Sequence, residues 1–147
     1  MSSTKEYALI EINISADKLS SFSCQTASWV GSDSSITRFD FDNHSEAYTI
    51  DLALKLIDHT DQCFVFVNQT QEVDEPGSIS KFFNSVTRKS HPKVTVAYLY
   101  GNEKLSPFFK VLKASRCKDV KESKSFFDRW IKGLETGPSQ PGKETEL

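Results

Sequence analysis

Apolar and polar positions alternate along the chain in short segments that predict an α/β protein. In residues 7–14 (YALIEINI), every second side chain from Ala8 to Ile14 is apolar, while Glu11 and Asn13 fall on the opposite face. A period of two residues is typical of a strand with one buried and one solvated face. We therefore predict that the first strand covers residues 7–14.

Two other segments also predict strands, each with a different exposure. In residues 36–42 (ITRFDFD), Phe39 and Phe41 face one way while charged side chains face the other, which predicts a strand near a sheet edge. Residues 63–67 (CFVFV) have no polar position, which is typical of a strand covered on both faces.

Apolar residues at helical spacing predict four helices. The helices alternate with the strands, with a strand over residues 93–101 (KVTVAYLYG) and with a short last strand at RCKDV. This alternation indicates parallel strands joined by right-handed crossovers, in a sheet of four to six strands flanked by helices. The core positions of the four helices are Ile50, Ala53, Leu54 and Ile57; Ile79, Phe82, Phe83 and Val86; Leu105, Phe108, Phe109 and Leu112; Phe126, Phe127, Trp130 and Ile131.

Residues 15–34 leave two arrangements open. A helix over residues 16–30 gives five βα units and a flavodoxin-like fold, in which the first strand is interior and covered on both faces. A strand over residues 22–30 instead gives a β-rich N-terminal third. The polar side chains of Glu11 and Asn13 favour the second arrangement, since they predict a solvated face on the first strand.

The second arrangement resembles the STAS domain, the fold of bacterial anti-sigma-factor antagonists and of the SpoIIAA-like family. The resemblance covers about residues 50–133: the helix IDLALKLIDHT, the strand CFVFV, the loop DEPGS, the helix ISKFFNSVTRK, and then a further strand and helix. The family loop carries an Asp-Ser-Ser-Gly-like motif whose serine is phosphorylated in the switchable members. Here Pro76 takes the place of the serine before Gly77. The resemblance implies a non-catalytic regulatory or protein-interaction module.

The length of 147 residues predicts a single domain, which we place at residues 1–134. The last thirteen residues, 135–147 (ETGPSQPGKETEL), contain two prolines and two glycines but no aromatic residue. This composition predicts a disordered tail.

Charge and hydropathy indicate which partners and which compartment to expect. The formal net charge is −2, with acidic and basic residues mixed along the chain, so we expect no nucleic-acid partner. No secretory signal and no apolar run of about 20 residues occurs, so we expect a cytoplasmic protein without membrane insertion.

The sequence contains none of the motifs that would identify an enzyme or a cofactor site. Cys24, Cys63 and Cys117 are widely spaced and predict buried reduced thiols, and the three histidines have no metal-ligand spacing. The chain has six glycines and neither a phosphate-binding glycine motif nor GxSxG. We therefore predict no cofactor, no metal and no catalytic residues, although catalysis is left open.

Two surfaces are candidates for function. The first is a docking loop after CFVFV for a protein partner, with residues Glu72, Asp74, Glu75, Gly77, Ser78 and Ser80; a homo-oligomer would instead use the apolar side of an edge strand or of a helix pair. Ser78 is also predicted to cap the following helix. The second, favoured by the flavodoxin-like alternative, is a small-ligand or enzyme site at the carboxyl ends of the strands, with residues Asp42, Asn68 and Asn102 and with Asn13 near a fourth strand end.

Overall fold

The computed structural model describes residues 5–15, 26, 28–30, 35–69, 77–89 and 93–136, with side chains up to Gly133. Over these ranges the chain forms strands β1 (Tyr7–Asn13), β2 (Ile36–Asp42), β3 (Gln62–Asn68), β4 (Val94–Tyr98) and β5 (Ser115–Arg116). The helices are α1 (Ala47–Asp58), α2 (Ile79–Lys89), α3 (Ser106–Leu112) and α4 (Val120–Thr136).

The five strands of the described ranges form one parallel sheet in the order β2-β1-β3-β4-β5. The predicted class, a single sheet flanked by helices, is confirmed. The strand order is that of flavodoxin-like doubly wound folds, and it places β1 inside the sheet between β2 and β3. From β1 the chain adds β2 on one side, and then β3, β4 and β5 on the other side. The switch point of the strand order therefore lies between β1 and β3.

Helices cover both faces of the sheet. On one face, apolar residues of α1, α2 and α3 pack on the side chains of Ile10, Val65 and Val96. On the other face, α4 and Trp29 pack on Leu9, Phe64 and Phe66. Both clusters include residues of β1 and β3, so the centre of the sheet is buried on both sides, as predicted for CFVFV.

The first strand differs from its prediction. Glu11 was expected on a solvated face, but its side chain is completely buried. The strand order explains the difference, because an interior strand of a doubly wound sheet has a helix layer or crossover on each side. The prediction for β2 is confirmed, since this strand lies at the edge of the sheet and packs Phe41 into the core.

Several predictions fall on residues that the structure does not describe. Of residues 15–34, only Ser15, Thr26 and residues 28–30 are described, so the choice between helix and strand there stays a prediction. The last helix extends to Thr136, and residues 137–147 lie outside the described ranges. None of the helices in these ranges combines the length and apolar character needed to cross a bilayer.

Candidate functional site

Three polar residues form a row at the carboxyl edge of the sheet. Asn13 is in register with Asp42 of β2 on one side and with Asn68 of β3 on the other. All three are the last residues of their strands and are half-buried. Since neighbouring strands lie about 4.8 Å apart, the row spans about 10 Å. We call these three residues the polar row.

The polar row bridges the point at which the chain reverses direction across the sheet. Asn68 donates a hydrogen bond from its Nδ2 to Oδ1 of Asn13 at 2.9 Å, across the β1–β3 junction. The backbone is joined at the same level, since the Ile14 N–H donates to the Asn68 carbonyl at 3.0 Å. The Asn13–Asn68 amide pair is therefore held in a fixed geometry at the switch point of the fold.

At the other end of the row, the Asp42 carboxylate organises the turn after β2. Its Oδ1 accepts the His44 backbone N–H at 2.8 Å and the Ser45 hydroxyl at 3.2 Å. Its Oδ2 makes no hydrogen bond with the described part of the chain. One carboxylate oxygen therefore shapes the turn, and the other keeps its acceptor capacity.

Asn43 fastens the turn after β2 to the chain leaving β1. Its Oδ1 accepts the Ser15 N–H at 3.0 Å, and its Nδ2 donates to the Ser15 carbonyl at the same distance. His44 Nε2 also lies 3.0 Å from the Ser15 carbonyl. Because a carbonyl oxygen only accepts, Nε2 carries the hydrogen and Nδ1 is left as an acceptor in the neutral ring.

The predicted docking loop is described only at its end. Glu72, Asp74 and Glu75 lie outside the described residues. Gly77 has a φ of 62°, and a Cβ there would collide with the Asn43 carbonyl oxygen. Gly77 is therefore tightly seated on the turn after β2.

The two serines of that loop have structural contacts. The Ser78 hydroxyl donates to the Ser45 carbonyl at 3.0 Å, and this is its one side-chain hydrogen bond within the described ranges. The prediction that this hydroxyl caps α2 is therefore wrong, although Ser78 does directly precede the helix. The backbone N–H of Ser80 donates to the Gly77 carbonyl, and its side chain is half-buried.

Asn102, predicted with Asp42 and Asn68, is not part of the polar row. It is buried in the turn after β4, where its Nδ2 donates to Gln69 Oε1 at 3.2 Å and its Oδ1 accepts the Lys104 N–H at 2.9 Å. It therefore joins the turns that follow β3 and β4. The structure brings Asp42 and Asn68 together around Asn13, which was expected near a strand end but was not among the three candidate ligand residues.

Two residues before the row, on the same face of the sheet, lies a charge network around the buried Glu11. Oε1 of Glu11 accepts the Thr26 N–H at 2.9 Å and the Thr26 hydroxyl at 2.6 Å. Arg38 lies 3.5 Å from the Glu11 carboxylate, 3.8 Å from that of Asp40, and donates to the Thr26 hydroxyl. The network holds Thr26 against the sheet, and among the described residues it combines two carboxylates with one guanidinium.

The two cysteines of the described ranges are not activated as nucleophiles. Burial raises the pKa of the Cys63 thiol far above its ordinary value. Burial also raises the pKa of the Cys117 thiol, and the hydrogen bond with Ser123 only partly offsets this effect. The neighbouring Arg116 and Lys118 therefore do not activate the thiol. Cys24 lies outside the described residues. In the described ranges, no group of three or more His, Cys, Asp or Glu side chains could hold a metal ion.

Comparison with protein-family models, with curated proteins and with solved structures gave no match to this chain. The STAS-like resemblance therefore stays a prediction, and function has to be argued from the geometry of the site.

Proposed function

We propose that this protein binds a small polar ligand that is not an anion, at the carboxyl edge of the sheet above the polar row. The observation that carries the proposal is the register of Asp42, Asn13 and Asn68 across the switch point of the sheet. In open α/β sheets, ligands bind outside the carboxyl ends of the strands at the switch point.

The polar row supplies directed hydrogen-bonding atoms that the fold does not use. In the described ranges, the amide Nδ2 of Asn13, Oδ1 of Asn68 and Oδ2 of Asp42 have no hydrogen-bond partner. The first is a donor and the other two are acceptors. A ligand with hydroxyl, amide or amine groups matches this set, since hydroxyls and amides both donate and accept.

Charge determines which ligands are excluded. Glu11, Asp40 and Asp42 fall on the same face of the sheet by alternation, and the guanidinium of Arg38 is already engaged with two of them. The Asp42 carboxylate, which belongs to the row itself, would repel an approaching phosphate. A sugar, nucleoside or amine would not be repelled, and the Asp42 carboxylate would favour an amine.

The rigidity of the site supports binding more directly than catalysis. Asn43 joins the turn after β2 to Ser15, and Gly77 packs on the same turn. A site whose side chains are already positioned loses less conformational entropy on binding. Within the described ranges, the row has no nucleophile–base pair, so a binding function is the conclusion we favour.

The experiment is a thermal-shift screen with matched neutral and anionic compounds. Adenosine is compared with AMP, riboflavin with FMN, and ribose and arginine are added. We expect a rise in Tm with at least one neutral or cationic compound, because a ligand that binds only the native state stabilises it. The stabilisation should be lost in Asn68→Ala and retained in Asn84→Ala, an exposed asparagine on α2. Stabilisation by the phosphorylated members alone would refute the proposal.

A further inference from the structure

One face of the molecule combines exposed apolar side chains with separated charge. Helices α1, α2 and α3 lie side by side on the same face of the sheet, where ring contacts such as Phe83 with Phe109 at 5.6 Å join α2 to α3. Every exposed large hydrophobic residue in the described ranges lies on the two outer helices of this layer: Tyr48 and Leu52 on α1, and Val111 on α3. We call the outer surface of these helices the three-helix face.

The basic side of this face consists of α2 and α3. Neither helix contains an acidic residue. Lys81 and Arg88 are exposed and seven residues apart, which puts them on the same side of α2. Lys110 and Lys113, on α3 and just after it, are exposed as well. None of these four side chains forms an ion pair with the described part of the chain.

The acidic side of the face is formed by α1. Glu46, Asp51 and Asp58 are exposed at or just before this helix, against the single base Lys55. Asp51 lies next to the exposed Leu52, and Tyr48 is one turn earlier, 70% exposed. Helix α1 therefore presents acidic and apolar side chains together. These side chains complement the basic side of the face, where Val111 is exposed.

We propose that the three-helix face is the interface of a homodimer, in which α1 of each copy packs against α2 and α3 of the other. A two-fold axis that runs along the face makes both contacts identical, because an isologous interface uses the same patch on each subunit. Tyr48 and Leu52 then meet Val111, while the acidic residues of α1 meet Arg88 and Lys110. A second copy supplies the acidic α1 with its own Tyr48 and Leu52, so that the same contact covers all three apolar side chains.

The size of the face sets the expected strength of the dimer. Helices of about 18, 16 and 10 Å packed about 10 Å apart give roughly 450 Å² per copy, or about 900 Å² in total. That is below the roughly 1,000 Å² of stable specific interfaces and within the range of weak or transient ones. The dimer is therefore weak, and exchange with monomer occurs as the protein is diluted.

The test is a charge-reversal experiment read by analytical ultracentrifugation of the full chain. Asp51→Lys/Asp58→Lys makes α1 basic, and Arg88→Glu/Lys110→Glu makes the opposite side acidic. Each variant alone should dimerise at least about tenfold more weakly than wild type, because like charges then oppose each other. An equimolar mixture of the two should recover the wild-type affinity, because both contacts of the heterodimer are again complementary.

A matched control uses Lys121→Glu/Lys132→Glu, which changes the net charge as much as Arg88→Glu/Lys110→Glu but lies on α4, on the other face of the sheet. This control should dimerise like wild type. Circular dichroism verifies that each variant is folded. The proposal is overturned if wild type stays monomeric at millimolar concentration, if the mixture fails to recover dimer, or if the α4 control weakens association equally.

Discussion

Asn13 accepts a hydrogen bond from Asn68 at 2.9 Å, although the two residues are 55 positions apart in the chain. The contact joins the ends of β1 and β3, the two strands between which a flavodoxin-like sheet reverses direction. In the described ranges, each amide also keeps a hydrogen-bonding atom that the fold does not use. This pair is therefore the part of the molecule on which our proposal of a ligand site rests.

The buried carboxylate of Glu11 should be among the most sensitive positions for stability. We expect Glu11→Ala to lower the free energy of unfolding by about 3 kcal/mol, because it leaves the Thr26 N–H and hydroxyl without their acceptor and Arg38 without its nearer partner. Urea denaturation measures the change.

Asp40→Ala is the control for this prediction, because it removes a carboxylate that contacts the same arginine from a more exposed position. The Asp40 side chain is 39% exposed and 3.8 Å from Arg38, so its loss should cost less than about 1 kcal/mol. Equal costs for the two variants would contradict the role we give to Glu11.

The close seating of Gly77 on the turn after β2 predicts strong intolerance to a side chain. Gly77→Ala should destabilise the protein by about 2 kcal/mol or more, because alanine disfavours a φ of 62° and its Cβ would collide with the Asn43 carbonyl. Thermal denaturation tests this against Gly133→Ala, where a Cβ meets nothing within 4 Å. That control, in a helix, should gain roughly 0.5 kcal/mol. Similar stability of the two variants would show that Gly77 is not constrained.

The buried thiol of Cys63 predicts a loss of stability at alkaline pH. Burial raises the pKa of this thiol in the native protein, whereas the thiol of the unfolded chain has a pKa of about 8.5. Below that pH the thiol is protonated in both states and contributes no slope. Above it the unfolded chain loses a proton that the native protein keeps, so stability falls by up to about 1.4 kcal/mol per pH unit.

Cys63→Ala isolates this contribution. The substitution should lower stability at every pH, because it leaves a small cavity, but its free energy of unfolding should fall less steeply than that of wild type between pH 8.5 and 10.5. Parallel curves for the two proteins over that interval would contradict the raised pKa.

Features of the fold that depend only on neighbouring residues in the chain could be predicted from the sequence, and features that depend on distant residues could not. The alternation in ITRFDFD predicts an edge strand, and the unbroken apolar run CFVFV predicts a central strand. In both cases successive side chains point to opposite faces, so the sequence itself indicates which faces are exposed. Glu11 was misassigned because alternation identifies a polar position, whereas its burial depends on Thr26 and Arg38, which only the fold brings to it.

The candidate site was predicted in part for the same reason. Asp42 and Asn68 were found because polar residues at strand ends are visible in sequence. Asn13 was left out of the candidate set and Asn102 was included, since membership of the row depends on strand order and register. The basic side of the three-helix face was missed because mixing over the whole chain gives a net charge of −2, while α2 and α3 alone carry no acid.

The central claim, that the polar row recognises a non-anionic ligand, is tested most directly by the side-chain amide resonances of Asn13 and Asn68. These are followed in ¹⁵N-edited NMR spectra while the best stabilising compound of the thermal-shift screen is titrated into the protein. We predict that both amides shift with the same saturation curve as the change in Tm, and that Asn84 does not shift. Saturable binding that leaves the Asn13 and Asn68 amides unchanged would contradict the account.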